Sequence, residues 1–119
     1  MSLLVHTFVR AADGGCDFLE DPAYGKTLAG FESTRKRLWG SEAMRDLGAR
    51  FFPRLDGYDL YAEPEEIDEF LAECDLVRPY LDQLAAQGGY DADYVAERFD
   101  NIVVAARRAK AVGGGVLVW

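Results

Sequence analysis

The last four residues, Val116-Leu117-Val118-Trp119, follow three glycines and offer no polar position. A strand with one wet face alternates apolar and polar side chains, whereas one that is apolar throughout is enclosed by its neighbours. Such a segment belongs inside a sheet, and the helix that feeds it must return the chain to that sheet. Leu3 to Val9, LLVHTFV, has a similar character: it is rich in β-branched and aromatic residues, with His6 and Thr7 set among apolar ones. The two segments are expected to pair as adjacent, buried strands.

The intervening chain reads as short elements. ADGGCDFLEDP has the Gly, Asp and Pro of a loop. From Ala23 to about Trp39, Leu28, Phe31, Thr34/Arg35 and Leu38 recur near a period of 3.6, predicting a helix stopped by Gly40. Ser41 is placed to cap a short helix through Leu47. ARFFPRL reads as a strand confined to an edge or a bulge, because Pro53 cannot donate to a central ladder. The turn Asp56-Gly57-Tyr58-Asp59 would then join it, as a hairpin, to a half-buried strand over Tyr58 to Ala62.

Pro64 suits a first helical turn, and the acids after it suit the positive end of the helix dipole. Ile67, Phe70/Leu71, Cys74, Val77, Leu81 and Leu84 form the apolar stripe, which sets Glu66, Glu69 and Glu73 on the outward ridge. Pro79 should kink or split this helix. Gly88-Gly89 ends it, and Asp91 caps a last helix with the stripe Tyr94, Val95, Phe99, Ile102/Val103, Ala106 and Ala109. No repeat or linker interrupts the pattern. At 119 residues the expectation is one α/β (α+β) domain spanning 1–119, a sheet of about four short strands against three to four helices.

Charge is distributed unevenly. Leu55 to Val77 contains Asp56, Asp59, Glu63, Glu65, Glu66, Asp68, Glu69, Glu73 and Asp75 and no base, so the net charge of −8 resides there, and the other 12 acids and 13 bases sum to +1. This balance disfavours nucleic acid and anionic membrane surfaces, both of which call for an electropositive footprint. Half of the residues are hydrophobic, enough to form a core rather than a charge-expanded coil. MSLLVHTFVR lacks the basic flank and apolar length of a signal peptide, so a cytoplasmic location is expected. Cys16 and Cys74 lie 58 residues apart, in no metal or redox spacing, and are expected to be unbridged.

Catalytic signals are sparse. His6 is the only histidine, which leaves a triad or a His-rich metal site without partners and reads as a hydrogen-bonded core or rim residue. Asp13, Asp17, Glu20 and Asp21 lack calcium-loop spacing, and the glycine runs lack phosphate-loop context. Arg35-Lys36-Arg37 and Arg107-Arg108-Lys110 read as ion-pairing surface residues on helices. Neither a cofactor nor a catalytic residue is expected.

DLYAEPEEIDEFLAE, an aromatic-acidic strand leading into an acidic helix, and AARRAKAVGGGVLVW, a last helix running into a very short apolar strand, together resemble small immunity proteins of bacterial polymorphic-toxin systems. The resemblance implies a binding protein without chemistry that neutralises a cognate toxin, and it transfers no interface residue. The residues themselves point the same way. Asp59, Glu63, Glu66, Glu69 and Glu73 would steer a basic protein partner, and Tyr58 or Tyr61 would anchor it. A second reading is a small-molecule or enzymatic site in the loop bearing Arg10, Asp13 and Cys16. A third is homodimerisation through the Phe51-Phe52 edge or the C-terminal strand.

Overall fold

The expected pairing of the first and last strands organises the structure, a computed structural model that describes residues 2–119. The chain runs through β1 (Ser2–Arg10), β2 (Cys16–Phe18), β3 (Leu28–Phe31) and α1 (Glu32–Thr34), which continues as a π-helical turn over Arg35–Trp39. It then forms α2 (Glu42–Asp46), β4 (Leu60–Ala62), α3 (Ile67–Val77), α4 (Leu81–Gly88), α5 (Ala92–Val112) and β5 (Gly115–Val118). All strand pairs are antiparallel, in the order β2-β1-β5-β4, with β3 beside β2 on the same edge of β1. The terminal strand is therefore central, and all four of its residues are buried. The architecture is α+β, as expected, with five strands rather than four.

The helices pack on the sheet face that carries Leu3, Val5, Leu60, Ala62, Val116 and Val118. Phe70, Cys74 and Val77 of α3 and Val95, Phe99, Ile102 and Ala106 of α5 meet them there. Phe52 sits amid the aromatic core, its ring centroid 5.3 Å from Trp39, 5.4 Å from Phe70 and 6.0 Å from Phe99. The helix ends follow local chemistry. Ser41 Oγ accepts the Met44 N–H at 3.2 Å, Asp91 Oδ2 accepts the Tyr94 N–H at 3.2 Å, and Pro79 lies in the 3-10 turn Arg78–Tyr80 that splits α3 from α4. Among the described residues no helix is long and apolar enough to cross a membrane.

Three sequence expectations are corrected. The helix expected from Ala23 begins only at Glu32, because Leu28–Phe31 is β3 on the edge of β1 and Gly30 adopts φ +133°, outside any right-handed helix. The loop after β1 contains β2, which turns back onto the β1 edge opposite β5 and pairs with residues 8–10. Phe51-Phe52-Pro53 is not a strand. Phe52–Leu55 is a 3-10 turn, Phe51 and Phe52 are core residues, and β4 pairs with β5 instead of forming a hairpin. Both edges proposed for self-association are thereby withdrawn from solvent: Phe51-Phe52 lies in the core and β5 is the middle strand.

Gly115 is required by close approach. A Cβ there would lie 2.4 Å from the Ala62 carbonyl oxygen and 2.7 Å from the Phe8 ring. The glycine lets β4 approach on one side while Phe8 lies across the strand.

Candidate functional site

Alternation along the strands leaves the second face of the sheet to a different set of residues. Phe8 stands opposite Phe18, Arg10 opposite Cys16, and His6 opposite Leu117, which in turn faces Tyr61. These side chains share one face, with Trp119 following β5. Phe8 is fully buried here, covered edge-on by Tyr61 at 6.2 Å and by the Arg10 guanidinium at 5.0 Å. Phe18 stacks on His6 at 5.1 Å and tilts against Trp119 at 5.7 Å. Phe18, Tyr61 and Trp119 nevertheless remain 44, 39 and 43% exposed. Large aromatics held half-open in fixed contacts are uncommon on a surface without a partner.

Polar contacts hold this face rigid. Arg10 and Glu63 form a bidentate pair, with Nε to Oε1 at 3.0 Å and Nη2 to Oε2 at 2.6 Å, and this partner raises the Arg10 pKa further above its ordinary value. Arg10 Nη1 also donates to the Gly14 carbonyl and to Cys16 Sγ, each at 3.1 Å, and Asp13 Oδ1 accepts the Gly15 N–H at 2.8 Å. Arg10, Asp13 and Cys16 are thus occupied in closing their own loop. The Trp119 indole N–H donates to His6 Nδ1 at 2.9 Å, which leaves the proton of the neutral imidazole on Nε2, 3.4 Å from Asp21 Oδ1.

The acids singled out from the sequence do not form one free face. Asp59 is held by Arg35 at 3.1 Å, and Glu63 by Arg10. Glu66 Oε1 accepts the Glu63 N–H at 3.2 Å in a capping box, while its Oε2 lies 3.4 Å from Arg54. Glu69 is exposed and only loosely paired, 3.5 Å from Arg50. Asp56 and Asp68 are paired with Arg45 and Lys110, both at 2.9 Å. Tyr58 projects into solvent, 76% exposed, ahead of β4, and its carbonyl accepts from Arg35 at 2.6 Å. The acidic segment therefore gathers arginines from β1, the π-helical turn, α2 and the Arg50–Arg54 stretch. Each exposed pair is worth ~0–1 kcal/mol.

Glu73 overturns its expected placement. It is 8% exposed, and its carboxylate accepts the backbone N–H of Arg50, of Phe51 at 3.0 Å and of Phe52 at 2.9 Å. Those donors open the 3-10 turn Phe52–Leu55, which has no cap of its own. The apolar stripe of α3 did place Glu73 outward, but a second layer of chain at residues 50–52 covers that ridge. Glu66, Glu69 and Glu73 thus separate into a cap, a loosely paired surface acid and a buried anchor.

Sequence reasoning identified Tyr61 but missed Phe18 and Trp119. The one available signal was the alternation in LLVHTFVR, which sets His6 and Phe8 on the face opposite Val5 and Thr7. Comparison with protein-family models, curated proteins and solved structures finds no match to this chain.

Proposed function

We propose that this chain is a protein-binding module without catalytic chemistry, of the immunity-protein kind, which captures a basic protein on the open face of its sheet. The observation that carries this reading is the row of half-exposed aromatics, Phe18, Tyr61 and Trp119, on a face that no helix covers. Aromatic side chains already fixed by their neighbours lose little entropy on docking, and they dominate interface energetics. The charge around them selects the sign of the partner. Asp21 stands beside His6, while Glu63 and Asp59 are matched by Arg10 and Arg35, on a chain of net charge −8. The net negative charge steers a basic surface toward the protein.

Compared with the sequence-based face, Tyr61, Asp59 and Glu63 are retained, Tyr58 stands at the margin, and Glu66, Glu69 and Glu73 are left outside. The test uses a partner recovered from the native cell and then purified. Tyr61→Ala, Phe18→Ala and Trp119→Ala should each weaken binding by about tenfold or more, in keeping with hot-spot losses of ~2 kcal/mol. Glu69→Lys should leave the dissociation rate unchanged, and added salt should slow wild-type association. Wild-type affinity in all three alanine variants would refute the open-face reading.

A further inference from the structure

We propose a ligand site, separate from the open face, for a small monocarboxylate with an apolar tail, in the cleft between β1, the 19–27 loop and α5. β2 and β3 act as one edge strand interrupted by this loop. The loop leaves the edge where the Leu19 N–H donates to the Thr7 carbonyl at 2.9 Å and rejoins it where the Thr27 carbonyl accepts the Val5 N–H at 2.8 Å. Between these two bonds the Thr7 N–H and the Val5 carbonyl point toward the gap without a hydrogen-bond partner among the described residues. Thr7 is only 4% exposed, so its unpaired N–H is a buried donor aimed at a cleft, of the kind that native structures seldom leave unused.

The enclosed part of the cleft holds only about 30 Å³, room for a carboxylate head, and it adjoins a shallower hollow of about 260 Å³ over Pro22, Lys26, Asn101 and Val104 that is open to solvent. Its shape is held from below by Asn101, whose side-chain amide donates to the Gly25 carbonyl at 3.2 Å and the Leu28 carbonyl at 2.9 Å, and by the Thr7 hydroxyl, which donates to the Ala105 carbonyl at 2.8 Å. Two cations line it, Lys26 from the loop and Arg108 from α5. Most arginines of this acid-rich chain are engaged by a carboxylate, yet neither Lys26 nor Arg108 forms an ion pair or side-chain hydrogen bond among the described residues. Two unpaired cations and a backbone N–H lining one hollow supply the kind of donors an oxyanion calls for.

The remaining walls choose among oxyanions. Leu19, Pro22 and Val104 are apolar, and Val104 is 57% exposed whereas its neighbour Val103 is buried. Asp21 also lines the cleft beside His6 and disfavours a dianion such as phosphate. One negative charge on a short hydrocarbon fits both features: the carboxylate would sit between Thr7 N–H, Lys26 and Arg108, and the tail against Val104 and Pro22.

The experiment is an amide-resolved NMR titration of the intact chain with butyrate, and with inorganic phosphate and butylamine in parallel. Butyrate should shift the Thr7 amide saturably with a dissociation constant of about 1–10 mM, the affinity expected of so small a ligand. Arg108→Ala and Lys26→Ala should each weaken that binding by about fivefold or more. Both residues are without intramolecular partners, so the ligand-free melting temperature should be unchanged. An absence of saturation at Thr7, equal saturation by phosphate or butylamine, or wild-type binding in both variants would each overturn the proposal.

Discussion

Replacing Glu73 with alanine should be among the most damaging single changes to this chain, although its helical position suggests a dispensable surface acid. The carboxylate satisfies the Phe51 and Phe52 N–H groups, which belong to residues 2 and 0% exposed. Water cannot easily replace it there, and a buried donor left unpaired costs ~1–3 kcal/mol. Two such donors give about 4 kcal/mol, against a total stability of ~5–15 kcal/mol for a domain. The Arg50 N–H belongs to an exposed residue and is left out of this sum. For a chain of this size 1 kcal/mol moves the midpoint by about 3–5 °C, so Glu73→Ala should melt roughly 10–20 °C below wild type. Glu73→Gln keeps one acceptor oxygen and turns an amide N–H toward the other donors, and should lose about half as much by the same per-donor cost. Glu69→Gln, on the exposed part of the same helix, should change the melting temperature by no more than about 2 °C, as surface substitutions do. Thermal and urea unfolding followed by circular dichroism decides the matter. A Glu73→Ala midpoint within about 3 °C of wild type would show that the Arg50–Phe52 amides are satisfied in some other way.

Gly115→Ala should destabilise the fold by about 2 kcal/mol or more, since the added methyl meets the Ala62 carbonyl as well as the movable Phe8 ring, and chemical denaturation would read this directly. Both cysteines are free, but Cys74 is buried and burial pushes its thiol up to about 12, so a thiol reagent at neutral pH should label Cys16 in the folded protein and both cysteines in denaturant. A folded-state pKa above the ordinary 9.0 contributes stability that is fully present below pH 9.0 and lost as the pH rises toward about 12. The urea midpoint of wild type should therefore fall more steeply over that window than that of Cys74→Ala, and parallel slopes would contradict the assignment.

Most of the framework was legible in the sequence because it rests on signals of short range. Val116 to Val118 had no polar side to show to water, Asp91 and Ser41 offered caps at the only useful offset, and Pro79 could not continue a helix; each holds in the structure for that local reason. The Leu28/Phe31 spacing misled because Gly30 and an open edge on β1 outweighed a helical period. Tertiary structure alone decided the fate of the charges and of the candidate site. Whether a helix ridge meets solvent depends on what else the chain lays over it, and residues 50–52 happen to lie over Glu73. Likewise Phe18, Tyr61 and Trp119 come from segments up to 101 positions apart and come to share one face only through the strand order β2-β1-β5-β4. A sequence states which side chains alternate along each strand, but the register between strands and the layer on which the helices settle determine which of those faces is covered and which stays open to a partner.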